Sequence, residues 1–387
     1  MTWQNVTLGE IAELLIGFAF KSTGFLDAGS DGIRLVRGDN VQQGSIRWGE
    51  KAKRWPAEDF DDLSRYQLRL GDVILAMDRP IVGDGLKLAW IKDDDLPCLL
   101  VQRVCRVRGK EGIGDTLYLR YVLSEPRFTA HIDRITTGAN IPHISGKDIA
   151  TYSFRLPPLD EQRQIGKTIA AYDDLIENNQ RRIKLMEEAA RRLYREWFVA
   201  LRFPGHEQVK VVDGMPQGWV QATLGDAMQL QRGFDLPSGA RKEGAVPIIA
   251  STGVTGFHDE ARVSGPGVVT GRSGTLGAVH FVHEDFWPLN TSLWVREFRL
   301  VTPLVAYFML LELGLSQFNS GASVPTLDRK AVHPMPAMIP SKPVQTAFEE
   351  VAGPMFSQIR VLNQAASKAK QARDALLPRL MSGALAV

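Results

Sequence analysis

The chain has 387 residues, of which 44% are hydrophobic and 23% charged, the balance of a globular protein with apolar material for more than one core. Its longest apolar stretch, residues 304–311, is too short to cross a bilayer, and no signal-peptide pattern opens the sequence, so we expect a cytoplasmic protein without a membrane partner. The formal net charge of +2 excludes a broadly basic polyanion binder but permits local basic patches.

An internal repeat organises the chain. Trp3 and residues 7–10 and 17–18 match Trp219 and residues 223–226 and 233–234, each pair 216 residues apart. Residues 138–142, Lys147, Pro157 and Gln162 match residues 321–325, Lys330, Pro340 and Gln345, each pair 183 residues apart. The smaller second offset means that the first copy is longer in its middle, where loops tolerate insertions. The sequence therefore predicts a tandem duplication.

Each copy begins with a predicted globular domain. Short runs rich in Val and Ile, such as residues 72–75 and 268–270, predict strands. Residues 117–123 and 304–313 predict single helices packed on those strands. The predicted domains are mixed α and β and cover residues 1–157 and 218–341, with a linker rich in turn formers at residues 201–217.

Each copy ends in a long predicted helix, over residues 158–200 and 342–383, with prolines before it. Hydrophobic residues recur in alternating steps of four and three, the heptad pattern of a coiled coil, and Asn179 fits a register-fixing polar position in it. The seam continues past Pro354, so we expect the second helix to continue as well. The predicted seam comprises Ile165, Ile169, Tyr172, Ile176, Asn179, Ile183, Met186, Leu193, Trp197, Phe348, Met355, Ile359, Leu362, Leu376 and Leu380.

No catalytic motif stands out in the sequence. Residues 145–148 lack the preceding glycine that a phosphate-binding loop requires. His280 and His283 lie three apart in an alternating pattern, so they face opposite sides of a strand and do not share a metal. Cys98 and Cys105 match no zinc or redox spacing. We therefore expect a non-catalytic chain without a metal or a cofactor of its own.

Small polar turns in both copies suit contact with nucleic acid. Residues 271–277 follow a predicted strand and expose one arginine, which can bind a guanine edge, and two hydroxyl groups, which can bind bases or phosphate. For any one of these turns, an ordinary surface loop is an equally good interpretation. The candidate DNA contacts are Arg37, Asn40, Asp78, Arg79, Arg103, Asn140, His143 and Lys147 in the first copy and Thr252, Arg272, Ser273, Thr275, Asn290, Ser292, Ser323, Thr326 and Lys330 in the second.

Four segments carry a resemblance to a known family. They are residues 193–206, the Gly-Trp-x-x-x-Thr-Leu-Gly pattern from Gly218, the turn at residues 271–277 and the tail at residues 376–383. Together with the repeated order of domain and helix, they resemble the specificity subunits of type I restriction-modification systems over essentially the whole chain. The resemblance implies an α+β fold with two target-recognition domains, each reading half of a split asymmetric site in double-stranded DNA, and two long helices paired as an antiparallel coiled coil.

The resemblance also implies partner proteins. Two methyltransferase subunits would dock on the helices, and restriction and translocation subunits would join through the methyltransferase core. S-adenosylmethionine, ATP and Mg would be used by these partners and not by this chain. One departure concerns the turn at residues 272–275, because the first copy has Asp78-Arg79-Pro80-Ile81 at the place that we align with it. This difference weakens the transfer of DNA contacts to the first copy.

Two other classes of protein stay open at this point. A self-contained DNA methyltransferase or nuclease would need a catalytic motif, which residues 156–159 do not supply. A coiled-coil scaffold that binds only protein would need no DNA contacts at all.

Overall fold

The computed structural model describes residues 3–83, 85–138, 142–321 and 323–386. The chain forms two compact units, residues 1–176 with 368–387 (the first unit) and residues 177–367 (the second unit). Each unit holds one mixed domain and part of both long helices. No helix in the described ranges combines the length and the apolar character needed to span a membrane. The residue boundaries predicted for domains and linker stay a prediction.

The domain of the first unit is built from short strands and short helices. Its strands are β1 (Gln4–Thr7), β2 (Ala12–Ile16), β3 (Leu26–Asp27), β4 (Ile33–Val36), β5 (Lys53–Trp55), β6 (Val73–Ala76), β7 (Ile81–Val82), β8 (Gly85–Leu86), β9 (Leu88–Trp90), β10 (Cys98–Leu100), β11 (Val104–Gly109) and β12 (Ser153–Leu156). Its helices are α1 (Leu8–Ile11), α2 (Thr116–Val122), α3 (Pro126–Ile135) and α4 (Gly146–Ala150).

A four-stranded sheet in the order β2-β11-β6-β9 forms the centre of this domain. Because side chains alternate across a strand, Val73 and Leu75 of β6 pack with α2 on one face, whereas Ile74 and Ala76 pack against the second sheet, β10-β4-β5-β3, on the other. Both faces of β6 are therefore covered, which explains why its sequence is an unbroken apolar run. The strand and helix predicted here are confirmed.

The domain of the second unit repeats this plan. Its strands are β13 (Val211–Val212), β14 (Met215–Pro216), β15 (Val220–Thr223), β16 (Met228–Arg232), β17 (Val246–Ala250), β18 (Gly253–His258), β19 (Gly267–Gly271), β20 (Val279–Val282), β21 (Trp287–Pro288), β22 (Ser292–Phe298) and β23 (Pro336–Ile339). Its short helices are α6 (Leu224–Ala227), α7 (Pro303–Glu312) and α8 (Arg329–Val332). The sheet β16-β22-β19-β20 corresponds to the central sheet of the first domain, and β18-β17-β21 forms the second sheet.

The repeated Gly-Phe pair has a steric cause in each domain. The amide of Gly17 donates to the carbonyl of Val104 at 3.1 Å, and the amide of Gly233 donates to the carbonyl of Ser292 at 3.1 Å. A Cβ atom on Gly17 would lie 2.3 Å from the backbone of Val101, and one on Gly233 would lie 2.2 Å from that of Leu289. Only glycine permits this close approach of two chain segments.

The two long helices are present as the sequence predicts. α5 (Leu159–Tyr194) continues into a π-helical turn at Arg195–Val199, and α9 (Lys342–Met381) runs on through Pro354. Every predicted seam residue is buried or half-buried. In the first unit Ile165 and Ile169 share a core with Leu380, and in the second unit the rings of Trp197 and Phe348 lie 5.9 Å apart.

A buried glutamine at the start of each long helix fastens the helix to its domain. In the first unit the side-chain oxygen of Gln162 accepts from the amide of Asp115 at 2.9 Å, and its nitrogen donates to the carbonyls of Ile113 and Pro157 at 3.0 and 2.9 Å. In the second unit Gln345 makes the same set of bonds to the following groups: the amide of Thr302 at 2.9 Å and the carbonyls of Leu300 and Pro340 at 2.9 and 2.8 Å. Both glutamines are 1% exposed, and we call this arrangement the glutamine clamp.

We predict that Gln345→Leu lowers the stability of the second unit by about 1–3 kcal/mol, because the partly buried amide of Thr302 loses its acceptor. The measurement is the thermal unfolding midpoint, followed by circular dichroism. The matched control is Gln371→Leu, which changes an exposed glutamine of the same helix and should leave the midpoint unchanged. Equal midpoints for the two variants would contradict a role of the clamp.

Candidate nucleic-acid interface

A cleft of about 620 Å³ lies at the end of the first domain where β2 and β6 finish and β11 begins. We call it the first cleft, and it is lined by Phe20, Ser22, Phe25, Arg37, Gly38, Asp39, Asp78, Arg79, Lys87, Val101, Gln102 and Arg103. The structure thus brings together four of the predicted DNA contacts from three separate stretches of the sequence: Arg37, Asp78, Arg79 and Arg103.

Two arginines of the first cleft have an unusual backbone conformation. Arg79 has φ = 46° and Arg103 has φ = 65°, in the left-handed region that residues with a side chain rarely adopt. Backbone hydrogen bonds hold both turns: the amide of Arg79 donates to Pro142 at 2.7 Å, and the carbonyl of Arg103 accepts from Met77 at 2.8 Å. Such residues cost about 1–3 kcal/mol each and concentrate at functional sites, where the surroundings enforce them.

Cations outnumber carboxylates in the first cleft. Asp78 pairs with the guanidinium of Arg103 at 3.1 Å, and Asp39 lies 3.6 Å from Arg37. The ammonium of Lys87 lies 3.5 Å from the carbonyl of Asp78, and burial lowers the pKa of Lys87 while Asp39 and Asp78 oppose that shift. These two carboxylates partly neutralise the cations in the free chain, and an incoming polyanion can replace them.

The second domain has a cluster of polar turns at the corresponding end. We call it the second cluster, consisting of Asp235, Arg272, Ser273, Asn290 and Thr326. The guanidinium of Arg272 donates to the carbonyl of Asn290 at 3.0 Å, and the side-chain amide of Asn290 donates to Asp235. Ser273 and Thr326 face each other in a backbone bridge. Arg272 is therefore braced by its own domain, with further guanidinium nitrogens left to bind another molecule.

The backbone bonds of the two sites correct the alignment made from the sequence. Met77 donates to Arg103 and accepts from Ile144, whereas Arg272 donates to Thr291 and accepts from Leu327. The counterpart of Arg272 is therefore Met77, and not Asp78. Met77 is 7% exposed, so this position is part of the core in the first domain. The alignment was wrong by one residue because loop sequences alone do not reveal which backbone groups pair.

Two residues predicted to contact DNA are buried, and their side chains form hydrogen bonds with the backbone of the turns in which they lie. The side chain of Asn40 is 6% exposed, accepts from the amide of Arg37 at 2.8 Å and donates to the carbonyl of Leu35 at 3.0 Å. Ser292 is 0% exposed and its hydroxyl donates to the carbonyl of Leu289 at 2.7 Å. As direct DNA contacts these two assignments are corrected, since satisfied buried groups shape a turn and do not reach a ligand.

The remaining candidates occupy exposed positions. The backbone of His143 bridges to Asp78 and so borders the first cleft. Lys147 and Lys330 lie at the start of α4 and α8, outside the first cleft and the second cluster. Thr252, Thr275 and Ser323 lie on exposed turns of the second domain. Asn140 lies outside the described residues.

The sequence interpretation missed several residues of the first cleft. Lys87 lies between β8 and β9, and Phe20 and Phe25 line the same cleft. A lysine between two short apolar runs was the available signal for Lys87. The cysteines take no part: burial raises the pKa of the Cys98 and Cys105 thiols to about 12, so both stay protonated at neutral pH.

Comparison with known proteins finds a matching family model and similar proteins. The family model described as type I restriction modification DNA specificity domain matches residues 1–188. The EcoAI specificity subunit of Escherichia coli is 35% identical over 175 residues, which are 45% of this chain and 28% of that protein. The MjaVIII specificity subunit of Methanocaldococcus jannaschii is 29% identical over 191 residues, 49% of this chain and 44% of that protein. The chain thus spans less than half of each of these two relatives.

A solved structure matches the fold over nearly the whole chain. The S subunit of a type I restriction-modification system from M. genitalium superposes with a TM-score of 0.68 at 16% sequence identity, covering 98% of this chain and 96% of that one. At this level of identity the match establishes a shared fold.

Proposed function

We propose that the chain is the subunit that reads DNA for a type I restriction-modification enzyme, with one target-recognition domain for each half of a split site. The family model that matches residues 1–188 and the similarity to two specificity subunits support this proposal. The observation that carries this proposal is the pair of equivalent loop sites. The first cleft and the second cluster stand on the same backbone scaffold but present different side chains, which suits the reading of two different base sequences.

The first cleft has the chemistry for direct contact with bases. Arg79 and Arg103 are exposed, and a guanidinium can donate two hydrogen bonds to one guanine edge in the major groove. Asp78 can accept from the amino group of cytosine once Arg103 turns to DNA. Lys87 and Arg37 suit phosphate contacts, which position the domain without reading sequence. His143 borders this cleft, and Lys147 suits a phosphate contact outside it.

The second cluster offers a different set of groups. The free nitrogens of Arg272 can bind a guanine edge, and the hydroxyls of Ser273, Thr275 and Thr326 can contact either bases or phosphates. Because the first domain has the buried Met77 at the position of Arg272, the two domains do not present the same groups. An asymmetric site follows from this difference. Asn290, Thr252, Ser323 and Lys330 stay candidates for further contacts.

The long helices serve in this proposal as the spacer between the half-sites, paired as an antiparallel coiled coil. Two contacts support the pairing. In the first unit Asp173 of α5 pairs with Arg373 of α9 at 2.7 Å, and in the second unit Trp197 packs on Phe348. Later residues of α5 thus meet earlier residues of α9. Arg373 stands at a heptad position of α9, and its ion pair with Asp173 explains why a charged residue occurs there.

In the same proposal, two methyltransferase subunits dock on the helix pair, and restriction subunits join through them. The chain supplies recognition, and S-adenosylmethionine, ATP and Mg are used by those partners. The names of the relatives as specificity subunits support this division of labour.

We predict that Arg103→Ala reduces discrimination at one base pair of one half-site by about 1–3 kcal/mol, and leaves the other half-site unchanged, because the lost contact belongs to one domain. The measurement is fluorescence anisotropy with duplexes that carry single base changes in the methylated site of the source strain. Arg163→Ala, an exposed arginine at the start of α5, is the matched control and should bind like the unaltered chain.

An equal loss of affinity on all duplexes, with a salt slope smaller by about one, would place Arg103 on a phosphate. Unchanged affinity and discrimination on every duplex would contradict a DNA role for Arg103.

For the spacer, we predict the effect of inserting seven residues after Asn179 and seven after Ala365, positions that an antiparallel pairing places opposite each other. One heptad in each helix keeps the seam in phase and lengthens it by roughly 10 Å, about three base-pair steps. The gap between half-sites should grow by about three base pairs, with weakened binding because three steps rotate one half-site by roughly 100°. Methylome sequencing or duplex binding measures the gap.

The matched control for the spacer is a seven-residue insertion after Asp213, in the exposed turn between β13 and β14, which should leave the gap unchanged. Strong binding of the heptad variant to the original gap would show that the helices do not set the spacing.

A further inference from the structure

A second polar pocket, of about 470 Å³, lies in the first unit and shares no lining residue with the first cleft. It is formed by β1, β12, α2, α3 and the end of α9, and we call it the basic pocket. Its charged lining residues are Arg127, Arg134, Arg155 and Glu125. Arg127 and Arg134 lie seven residues apart on α3, two helical turns, so they project from the same exposed face.

The three arginines have no ionic partners within the described parts of the chain. No described carboxylate lies within ion-pair distance of Arg127, Arg134 or Arg155, although ion pairs are frequent elsewhere in the domain. Glu125 is the one acidic side chain that lines the pocket among these residues, and burial raises its pKa while Arg127 opposes the shift. The pocket therefore carries an excess of positive charge that nothing in the described chain neutralises.

The fold does not require arginines at this place, as the second unit demonstrates. In β1 and β12 Asn5 pairs with Arg155, and the equivalent pair in β15 and β23 is Gln221 with Met338. The counterpart of Glu125, counted from the backbone groups that the glutamine clamp binds, is Glu312. Arg191 of α5 and Arg195 of the π-helical turn bind this carboxylate at 2.6 and 2.9 Å. The free arginines are thus a property of the first copy alone.

The basic pocket is built on other elements than the first cleft. The chain reaches the pocket through β1 and reaches the cleft only after α1 and the five residues of β2. The pocket instead lies beside the end of α9, on the side of the domain where the long helices attach.

We propose that the basic pocket binds an acidic segment of a protein partner. Charge complementarity favours an acidic ligand, because three unpaired guanidinium groups can form charge-assisted hydrogen bonds with it. The place of the pocket, beside the end of α9 and apart from the lining of the first cleft, favours the carboxylates of a protein segment over the phosphates of DNA. The inference rests on the proposed function only in taking a partner subunit as the source of the segment. The second unit has Met338 in place of Arg155 and lacks this site. The acidic segment therefore binds to the first unit and not to the second.

The test uses the full chain and a fluorescein-labelled hexaglutamate peptide, with binding followed by anisotropy at low salt. The unaltered chain should bind the peptide, and the double variant Arg127→Glu with Arg155→Glu should bind it about tenfold more weakly, because attraction becomes repulsion. The matched control, Arg47→Glu with Lys51→Glu, reverses two exposed cations of the same domain that have no described ion pair. It should retain binding of the peptide.

A second arm measures the affinity of the same variants for duplex DNA. We expect the double variant to bind DNA like the unaltered chain. A loss on all sequences, with a salt slope smaller by about two, would assign the arginines to phosphates and overturn the proposal. Absence of peptide binding by the unaltered chain, or equal peptide binding by the double variant, would overturn it as well. Failure of the unaltered chain to select any DNA would contradict the proposed function and leave the peptide arm unaffected.

Discussion

The glutamine clamp is the constraint on which the rest of the structure depends. Apolar contacts between a helix and a domain are not directional, so they do not fix the direction of a long helix by themselves. Three hydrogen bonds from one buried side chain to three backbone groups do fix it, because breaking them leaves polar groups unsatisfied in the core. Gln162 and Gln345 make these bonds in the first and the second unit, each with the proline that precedes its helix.

Each domain extends from the glutamine clamp, through its central sheet, to the loops at the end of that sheet. The central sheet is covered by a helix on one face and a second sheet on the other, and its strands end at the first cleft or the second cluster. The backbone bonds around Met77 and Arg272 are the same in the two domains, but the side chains differ. A scaffold that keeps its backbone while its loop side chains vary is suited to reading different sequences with one fold. The strain at Arg79 and Arg103 belongs to the first domain alone, because the counterpart of Arg79 is Gly274.

Much of the fold could be predicted from the sequence, because its strongest signals are periodic. The heptad pattern predicted both long helices, and the continuous seam outweighed Pro354. Contacts between distant residues could not be predicted in this way. The pattern does not predict the ion pair between Arg373 and Asp173, because the two residues lie on different helices. The repeat of Gln162 and Gln345 is visible in the sequence, but the hydrogen bonds that the two side chains make are not.

The candidate site was predicted less well than the fold, for a physical reason. Residue type alone does not distinguish an exposed polar group from one that holds a turn. Asn40 and Ser292 satisfy their own backbone, whereas Lys87 reaches the first cleft from a bend between two strands. The one-residue error at Met77 has the same origin, since a loop takes its register from backbone bonds.

The most direct test of the central claim is the selection of duplexes from a random library by the full chain, alone and together with the methyltransferase subunit that we propose as its partner. The account predicts a split asymmetric site, with two different half-sites separated by a gap of one fixed length. Selection of a single uninterrupted site, or of two half-sites at variable distances, would contradict it.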